Sequence, residues 1–443
     1  MLLLAAPGAG QAQAIPVPIP KNNILPNYDN VFIGSVEAVE AGAYLARTNN
    51  ASASFYNPAG LAASGNTSLS ISANGFVWTK LTSHALGESV SSSQLGATPG
   101  YFAVAVGPPI IKGERLRLGF SVINSVSWAP PGSDQATSAG PGSFPQLTYS
   151  SQLSFSTVLT SLSIGYRLTP TVRIGGSVSL ASTSYSDQES LSGQVPGSGQ
   201  PSQFLSALRA SGNIRHLVLS SGVQWDATPQ LTFGALLRAP GLPVTSSSLF
   251  TYESMVQSLS GGTNAYFRDD GGTFEYRLPL EVSAGVAYRL GSVHAEIDVR
   301  YHANAGQYTL YRSARPLQVQ TYGPNGTTAL STQAFSEMTY SARSVVNVAA
   351  GARYQATRAL TFHGGFFTSP SPVGNPANSP FQKADFYGAT LGAAFTGAHW
   401  SFSLGFAYEF GSTAPVQVNG GLGPLTDLDY RALTLLYALG YRF

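Results

Sequence analysis

The chain has no cysteine, few charged residues and no long apolar segment. Without cysteine there is no disulfide, no thiolate metal ligand and no cysteine nucleophile. Charged residues make up 10% of the 443 residues, whereas soluble globular proteins contain about 25%, so a soluble protein is disfavoured. No stretch approaches the roughly 18 consecutive apolar residues that a membrane helix needs. Together these absences favour a membrane β-barrel, in which apolar residues occupy alternate positions of each strand.

Sequence features of an enzyme or of a nucleic-acid-binding protein are also missing. The 23 basic and 21 acidic residues nearly cancel, so no basic surface for nucleic acid is expected. The serines form no G-x-S-x-G motif, and the six histidines suggest no catalytic triad. We therefore expect neither an enzyme nor a bound cofactor.

The N-terminus, MLLLAAPGAGQAQA, has the apolar run and A-x-A ending of an export signal. No basic residue precedes Lys21, although a signal peptide usually begins with one. We therefore predict that residues 1–14 are the remnant of a signal peptide whose start lies upstream of Met1. The alternative is an apolar tail in which the alanines occur by chance.

Strict alternation of apolar and polar residues predicts strands rather than helices along the rest of the chain. In residues 399–410, for example, every second residue from Trp400 to Phe410 is apolar, and serine, glycine, alanine or glutamate lies between. Collecting such segments gives fourteen candidate strands. They are 67–79, 100–107, 115–128, 149–168, 171–184, 208–225, 230–239, 274–290, 292–303, 337–355, 358–368, 385–397, 399–410 and 429–443.

The candidate strand 292–303 places its charges at every second position, opposite a fully apolar face. Such a face cannot point at lipid, where a charge at the bilayer midplane costs about 2–4 kcal/mol, so it must line an interior. The predicted lumen charge network consists of His294, Glu296, Asp298, Arg300 and His302. No metal site is expected, because His294 and His302 would lie roughly 26 Å apart on a strand.

Connection lengths predict how the barrel is oriented. Long connections (80–99, 129–148, 185–207, 240–273, 304–336, 369–384 and 411–428) alternate with short ones of seven residues or fewer. Bacterial outer-membrane barrels have short periplasmic turns and long extracellular loops, so both termini are expected on the periplasmic side. The last strand ends at Phe443 and resembles the signal read by the outer-membrane barrel assembly machinery, although an edge strand of a soluble sandwich has a similar pattern.

Residues 15–66 precede the first candidate strand and are available to fill the barrel. A fourteen-stranded barrel (67–443) is too wide for its own side chains to fill. The segment contains SFYNPAG, in which proline favours a turn by restricting the residue before it. This motif has two interpretations, a plug inside the lumen or simply a tight turn before the first strand.

The stretch ARTNNASASFYNPAGLAAS, residues 46–64, resembles the hatch segment of the FadL/TodX family. Members of that family are outer-membrane transporters for long-chain fatty acids and other hydrophobic compounds. Residues 276–302 and 345–376 carry the same resemblance. It implies an all-β transmembrane barrel with an N-terminal hatch inside the lumen. The implied hatch residues are Phe55, Tyr56, Asn57, Pro58 and Ala59.

Two long connections contain apolar side chains that need cover from water. Residues 202–209 place Phe204, Leu205 and Leu208 on one face of a predicted short helical turn. The longest connection adds a second apolar group, Leu249, Phe250, Tyr252 and Met255. These residues could pack on each other as a loop core. The resemblance implies an external groove formed by the third and fourth long loops, which captures the hydrophobic ligand.

The third candidate strand, 115–128, has a polar residue in its apolar row. Asn124 interrupts the row from Leu116 to Trp128, which we predict to face lipid, and a bulge would explain it. In the resembled family an inward kink of the third strand opens a lateral exit through the wall. The resemblance thus implies a lateral opening at Asn124.

The leading hypothesis is passive uptake of a hydrophobic small molecule by a monomer in the outer membrane of a Gram-negative bacterium. The ligand class stays open between a fatty acid, an aromatic hydrocarbon and a terpenoid. Expected partners are this ligand, outer-membrane lipid and lipopolysaccharide, and the assembly machinery that reads Phe443. The alternatives are a channel for polar solutes and a structural or adhesive barrel.

Overall fold

The computed structural model describes most of the chain. The described residues are 23–29, 32–64, 67–85, 88–107, 115–130, 133–137, 147–195, 202–258, 261–313, 315–323, 328–333, 338–374, 381–414, 416–417 and 425–443. The predicted signal peptide, residues 1–14, and the first part of the predicted hatch, residues 15–22, lie outside this range.

Fourteen antiparallel strands form a closed barrel, as the sequence predicts. Each strand pairs with the next, and the last pairs with the first through a ladder that begins at Ser68 and Arg442. The strands are β1 Ser68–Ala85, β2 Glu88–Val106, β3 Leu116–Trp128, β4 Leu147–Arg167, β5 Val172–Val195, β6 Ser202–Asp226, β7 Leu231–Arg238, β8 Glu281–Leu290, β9 Val293–His302, β10 Val345–Gln355, β11 Leu360–Ser369, β12 Ala384–Thr396, β13 Trp400–Thr413 and β14 Leu425–Arg442.

The barrel is apolar outside and mostly polar or small inside. In β13, Phe402 is 47% exposed on the outer surface, whereas its neighbour Ser403 is 3% exposed and faces the lumen. In β9, Ile297 is exposed and the adjacent carboxylates Glu296 and Asp298 are buried. The predicted faces of these two strands are therefore correct.

The two ends of the barrel differ in how the strands are connected. At one end the described turns are short: 168–171, 227–230, 291–292, 356–359 and 397–399. At the other end the hairpins β1–β2 and β5–β6 continue as paired strands, so the predicted loops 80–99 and 185–207 are largely strand. Backbone pairing needs no apolar side chain, which is why hydrophobic alternation underestimated the strand lengths.

Residues 202–209 are not helical, which corrects the prediction of a short helical turn. They form the start of β6 and pair with β5 on one side and with strand Leu242–Ser258 on the other. Since both flanking ladders use the backbone of this segment, a helical turn would break pairing on both sides. The strand Leu242–Ser258 lies in the predicted longest loop, and Gly261–Asp269 pairs with it.

Smaller strands complete this end of the molecule. The strands Leu317–Tyr322 and Thr328–Gln333 extend the sheet beyond Gly261–Asp269. Elsewhere the short strands are Thr273–Phe274, Gly306–Arg312, Met338–Ala342, Ser133–Thr137, Val416–Gln417, Asn23–Ile24 and Phe381–Gln382. The predicted strands 274–290 and 337–355 are each divided in two. In the first, β8 begins only after Pro279, which has no N–H for the ladder.

A bulge in β3 reverses the predicted inward and outward faces of the residues that follow Asn124. The ladder between β3 and β4 shifts register between Asn124 and Val126. The extra residue reverses the alternation, so Val126 and Trp128 are buried in the lumen instead of facing outward. Asn124 therefore marks an irregular point in the strand, and its buried Oδ1 accepts no hydrogen bond from any described residue.

Among the described residues, helical structure is confined to short turns in the N-terminal segment, which we define as residues 23–64. These are α1 Val36–Val39, α2 Ala53–Tyr56 and the 3₁₀ helix Pro58–Ala63. Among the described residues, no helix is long and apolar enough to cross a membrane.

Cysteine labelling should reveal which end of the barrel faces the outside of the cell. We expect Thr328→Cys, at the long-hairpin end, to react with a membrane-impermeant maleimide on intact cells. Gln230→Cys, in an exposed short turn, should react only after the outer membrane is opened. The chain has no cysteine of its own to give a background signal. Labelling of Gln230→Cys on intact cells would contradict the predicted orientation.

Candidate functional site in the barrel lumen

The N-terminal segment crosses the lumen and contacts opposite walls. The 3₁₀ helix Pro58–Ala63 packs on β4, β5 and β6, whereas α1 packs on β11, β12 and β13. Most of the segment is buried, including Ala43, Ala46 and Ala59. Its small residues allow the backbone itself to lie against the wall.

Inward-facing glycines make this close approach possible. A Cβ at Gly175 would lie 2.3 Å from the carbonyl carbon of Pro58, and one at Gly365 would lie 2.6 Å from that of Glu40. Ten strands each contribute such a glycine, close to the segment or to the side chains that bind it. The ten are Gly119, Gly165, Gly175, Gly222, Gly234, Gly285, Gly351, Gly365, Gly392 and Gly405. The sequence analysis did not identify this ring of glycines, although its sign was a glycine on the polar face of many of the strands.

Asn57 fastens the segment to the wall at the point where the sequence predicts a turn. Its Nδ2 donates to the carbonyl oxygen of Leu45 at 3.0 Å and to that of Val223 in β6 at 2.9 Å. Its Oδ1 accepts from the backbone N–H of Ala59 at 3.2 Å and caps the 3₁₀ helix. Pro58 occupies the first helical position, where a missing N–H costs nothing.

Phe55 and Tyr56 lie together in the lumen. Their rings meet edge to face with centroids 5.2 Å apart. The Tyr56 hydroxyl donates to the carbonyl oxygen of Ile33 at 2.7 Å, and Arg238 lies over the Phe55 ring. Both aromatic side chains line a cavity in the barrel interior.

Four of the five predicted network residues bind the N-terminal segment. Asp298 accepts backbone N–H bonds from Tyr44 and Leu45 at 2.9 and 3.1 Å, and Glu296 accepts one from Ala46. Arg300 donates to the carbonyl oxygen of Gly42. His302 and Asp29 approach within 3.3 Å, with the imidazole Nε2 nearest the carboxylate. The fifth residue, His294, instead lies 3.2 Å from Arg353.

A second ionic cluster, which the sequence analysis did not identify, holds the middle of the segment. Glu40 pairs with Arg47, and Arg47 also reaches Glu296 at 2.8 Å. His363 Nδ1 lies 2.6 Å from Glu40. Burial alone would raise the pKa of Glu40, but the hydrogen bond from His363 and the charge of Arg47 lower it. Glu40 therefore remains ionised inside the barrel.

The cavity is lined by residues from opposite sides of the lumen. Its enclosed volume is about 40 Å³, and the value rises to about 570 Å³ only when the open space around it is counted. One side reaches Ser125 in the β3 bulge, and the other reaches Val348 and Thr368 in β10 and β11. The remaining lining residues are Asp29, Phe32, Ile33, Ala41, Gly42, Phe55, Tyr56, Arg300, Asn347, Ala349 and Phe367.

Aromatic side chains cluster in the lumen toward the end with the long hairpins. Trp128, redirected inward by the bulge, packs with its ring centroid 5.0 Å from Tyr430 and 5.6 Å from Phe386. Tyr185 stacks on Phe274 in the same apolar cluster. The lumen therefore contains packed apolar side chains toward this end.

The two predicted apolar groups of the long loops lie on adjacent strands. Leu208 pairs with Tyr252, Leu205 with Met255, and Phe204 with Val256. Phe250 and Tyr252 are buried in the apolar cluster, where Phe250 stacks on Tyr311 at 4.6 Å. Phe204 is also buried, whereas Leu205 is exposed on the opposite face, and Leu249 and Met255 are half-buried. Of the seven predicted loop residues, Phe250 and Tyr252 thus belong to the apolar cluster, and Leu208 packs against it.

Phe443 lies at the end of the last strand and is exposed. Its backbone N–H donates to Thr67 at 3.0 Å, which ties the two ends of the barrel sequence together. Its side chain contacts only Tyr441 among the ring contacts of the described residues, at 4.7 Å.

Adding side-chain volume at one inward glycine should displace the N-terminal segment. In Gly175→Val the new side chain would overlap Pro58, at a cost of about 1–3 kcal/mol for overpacking. Displacement should expose the half-buried Arg47 to trypsin, so limited proteolysis should cut there. The matched control is Gly176→Val, since a Cβ at Gly176 meets only Ser220 O, at 3.5 Å. If both folded variants resisted trypsin equally, the close contact between the segment and the wall at Gly175 would be contradicted.

Comparison with known proteins shows the same fold in transport proteins. No family model matches the chain, and no curated protein matches its sequence. Among solved structures, a Pseudomonas aeruginosa FadL homologue is 13% identical with a TM-score of 0.60, covering 95% of this chain and 100% of that chain.

Two toluene transporters match over a similar length. TodX of P. putida is 13% identical with a TM-score of 0.60, covering 94% of this chain and 99% of its own. TbuX of Ralstonia pickettii is 14% identical with a TM-score of 0.57, with 94% and 99% covered. Both are described as toluene transporters, and at this identity the likeness shows a shared fold. The chain therefore has the fold of the FadL and TodX transporters.

Proposed function

We propose that this protein lets hydrophobic small molecules diffuse passively across the outer membrane of a Gram-negative bacterium. The observation that carries the proposal is the lumen itself, in which an aromatic-lined cavity and an apolar cluster adjoin a segment that crosses the barrel. Apolar surface inside a barrel suits a greasy ligand, which gains about 0.8 kcal/mol for each CH₂ that it buries. The toluene transporters with the same fold support this ligand class.

We propose that residues 15–66 act as a hatch within the barrel of residues 67–443. The described part of this region contacts both walls and is anchored by Asn57 and by the carboxylates of β9. A segment held in this way would block free passage of water and polar solutes. Phe55 and Tyr56 would then form the floor of the ligand cavity.

The proposed route begins at the long hairpins. Leu208 and Tyr252 on adjacent strands would help to capture the ligand, which then moves along the apolar cluster into the cavity. Exit would follow the wall at β3, where Ser125 in the bulge beside Asn124 lines the cavity. Leaving sideways keeps a hydrophobic ligand out of water.

The charges around the cavity favour an uncharged ligand. Arg300 is the cation in the lining, and it lies 3.8 Å from Asp29 and 3.9 Å from Asp298. Burial alone would raise the pKa of Asp29, but the neighbouring His302 and Arg300 lower it, so this carboxylate is ionised. A ligand carboxylate would therefore meet Asp29 as well as Arg300, whereas a hydrocarbon avoids this repulsion.

The outer surface and the C-terminus suggest the remaining partners. The exposed apolar band is suited to outer-membrane lipid and lipopolysaccharide, and the exposed Phe443 to recognition by the barrel assembly machinery. We propose that the protein acts as a monomer, because the barrel closes within one chain. The competing functions are a channel for polar solutes, favoured by the serines inside, and a structural or adhesive barrel.

Transport can be tested with purified protein in liposomes. We expect the protein to accelerate the entry of [¹⁴C]toluene, to act less on [¹⁴C]dodecanoate and to leave [¹⁴C]glucose unchanged. Rapid glucose entry would favour the polar-solute channel, and no effect on any solute would favour a structural barrel. Equal transport of dodecanoate and toluene would contradict only the preference for an uncharged ligand.

A double substitution tests the hatch. Asn57→Ala with Pro58→Ala removes the side-chain bonds to Leu45 and Val223 and frees the turn. Displacement of Phe55 and Tyr56 should weaken toluene binding by about 1–3 kcal/mol, roughly ten- to a hundredfold. Heat-modifiable gel migration checks that the barrel is folded. The control is Asn49→Ala, an exposed residue of the same segment; unchanged binding in the folded double variant would argue against the hatch.

A further inference from the structure

Three exposed arginines lie on the outer face of the barrel, toward the end with the long hairpins. They are Arg209, Arg215 and Arg268. The first two belong to β6 and the third to the strand Gly261–Asp269. Their sequence neighbours, such as Ala210 and Phe267, are buried, so the alternation of each strand turns the arginines outward. We call these three residues the basic patch.

Backbone pairing places two of the arginines in one row. Arg209 is paired with Thr251 of the strand Leu242–Ser258, and Thr251 is paired with Arg268. Because neighbouring strands lie about 4.8 Å apart, the Cα atoms of the two arginines are separated by roughly 10 Å. Two long side chains across this gap can both reach an anion that lies over Thr251.

The third arginine lies at the edge of the apolar band. On β6 the exposed apolar side chains lie between Trp225 and Leu217, and Arg215 is the next outward residue. At about 3.3 Å per residue and a strand tilt of about 40°, Arg215 lies roughly 25 Å above Trp225, which is the height of a lipid-facing band. Arg215 therefore lies where lipid chains meet head groups. Arg209 lies roughly 15 Å further out by the same geometry.

The protein itself does not neutralise the basic patch. Among the described residues, none of the three guanidinium groups forms an ion pair or a hydrogen bond. Of the described outward residues on these strands, one is a carboxylate, Glu253, which is paired with Ala207 and Tyr266. Three cations and one anion leave a positive surface that faces away from the barrel.

Polar uncharged side chains lie between the two levels of arginine. Asn213 is paired with Ser184 on one side and with Ser247 on the other, and all three are exposed. Ser182 and Thr245 lie beside Arg215 in the same way. Hydroxyl and amide groups donate and accept hydrogen bonds, so this surface is suited to the hydroxyls of sugars.

The arrangement matches a lipid whose negative charges occur at more than one height above its acyl chains. Guanidinium binds phosphate and carboxylate through two parallel hydrogen bonds. A glycerophospholipid has its phosphate at one height, beside the chains, and would reach Arg215 alone. Lipopolysaccharide carries phosphates on the sugars nearest its chains, and further phosphates or carboxylates on the core sugars beyond them.

We propose that the basic patch binds the anionic head group of lipopolysaccharide on the outer face of the barrel. Arg215 donates hydrogen bonds to a phosphate of lipid A, and Arg209 and Arg268 together bind a phosphate or carboxylate of the inner core. The inference rests on the proposed location of the protein in the outer membrane, with the long hairpins outside. The site lies outside the lumen and takes no part in the proposed transport route.

Native mass spectrometry of the purified protein in detergent can measure lipid binding. The lipids to be added are bis-phosphorylated lipid A, lipopolysaccharide with its inner core, and phosphatidylglycerol. The variants are Arg215→Gln, Arg209→Gln with Arg268→Gln, and Glu253→Gln. The matched control is Arg289→Gln with Arg358→Gln, which removes two exposed arginines at the short-turn end. Heat-modifiable gel migration checks that each variant is folded.

We expect Arg215→Gln to weaken the binding of lipid A and of lipopolysaccharide at least fivefold, because both carry phosphate beside the acyl chains. Arg209→Gln with Arg268→Gln should weaken lipopolysaccharide binding at least fivefold and leave lipid A binding unchanged, because lipid A has no core sugars. Glu253→Gln should tighten lipopolysaccharide binding by removing a repulsive carboxylate. The control variant should bind each lipid as the unmodified protein does.

Unchanged lipopolysaccharide binding in the folded arginine variants would overturn the site, and so would an equal loss in the control. Equally tight binding of phosphatidylglycerol and lipopolysaccharide to the unmodified protein would overturn the choice of lipid. The measurement needs neither a bilayer nor transport. Failure of toluene entry in liposomes would therefore overturn the proposed transport function alone, and loss of lipid binding would overturn the basic patch alone.

Discussion

The structure depends on one constraint, the close contact between the backbone of the N-terminal segment and the inner wall of a barrel too wide to fill itself. Closure of the fourteen-stranded sheet gives the backbone N–H and C=O groups of the wall their hydrogen-bond partners. It also leaves a lumen that side chains alone cannot occupy. A chain segment that enters this lumen brings its own polar backbone, which must find hydrogen-bond partners there. Glycines on the wall provide the space, and polar side chains provide the partners.

The partners of the segment are matched to its backbone groups. Carboxylates on β9 accept from the N–H groups of Tyr44, Leu45 and Ala46, whereas Asn57 and Arg300 donate to carbonyl oxygens. Removing one buried partner leaves the other unsatisfied, which costs about 1–3 kcal/mol. The segment is thus held by many directional contacts. Such an arrangement is consistent with a closed position that ligand binding disturbs, as the proposed transport requires.

Regular alternation made much of the barrel predictable. In β13 each outward position from Trp400 to Phe410 is aromatic or aliphatic, so the face could be read from the sequence and is correct. Trp128 was placed on the wrong face because a single inserted residue at the bulge reverses everything beyond it. The polar Asn124 in the apolar row was a sequence sign of the bulge, but the reversal of the faces beyond it depends on the register of pairing with β4.

The lumen was predictable only in part, because its contacts join residues that lie far apart in the sequence. Alternating charges indicated that β9 faces an interior, but not that Asp298 would bind the backbone of Tyr44. Asn57 and Pro58 were identified as a turn, whereas the bonds from Asn57 to the wall depend on tertiary structure. Residues 202–209 had a helical spacing of apolar side chains, and pairing with strands on both sides overrode it.

The central claim is that hydrophobic molecules occupy the lumen above the N-terminal segment. The most direct test is photolabelling of the protein in liposomes with a trifluoromethyl-phenyl-diazirine, a small uncharged aromatic probe, followed by peptide mass spectrometry. The account predicts adducts at cavity residues such as Phe55, Tyr56 and Phe367, and competition by excess toluene. Adducts confined to outward residues such as Phe402 and Leu404, with none in the lumen, would contradict it.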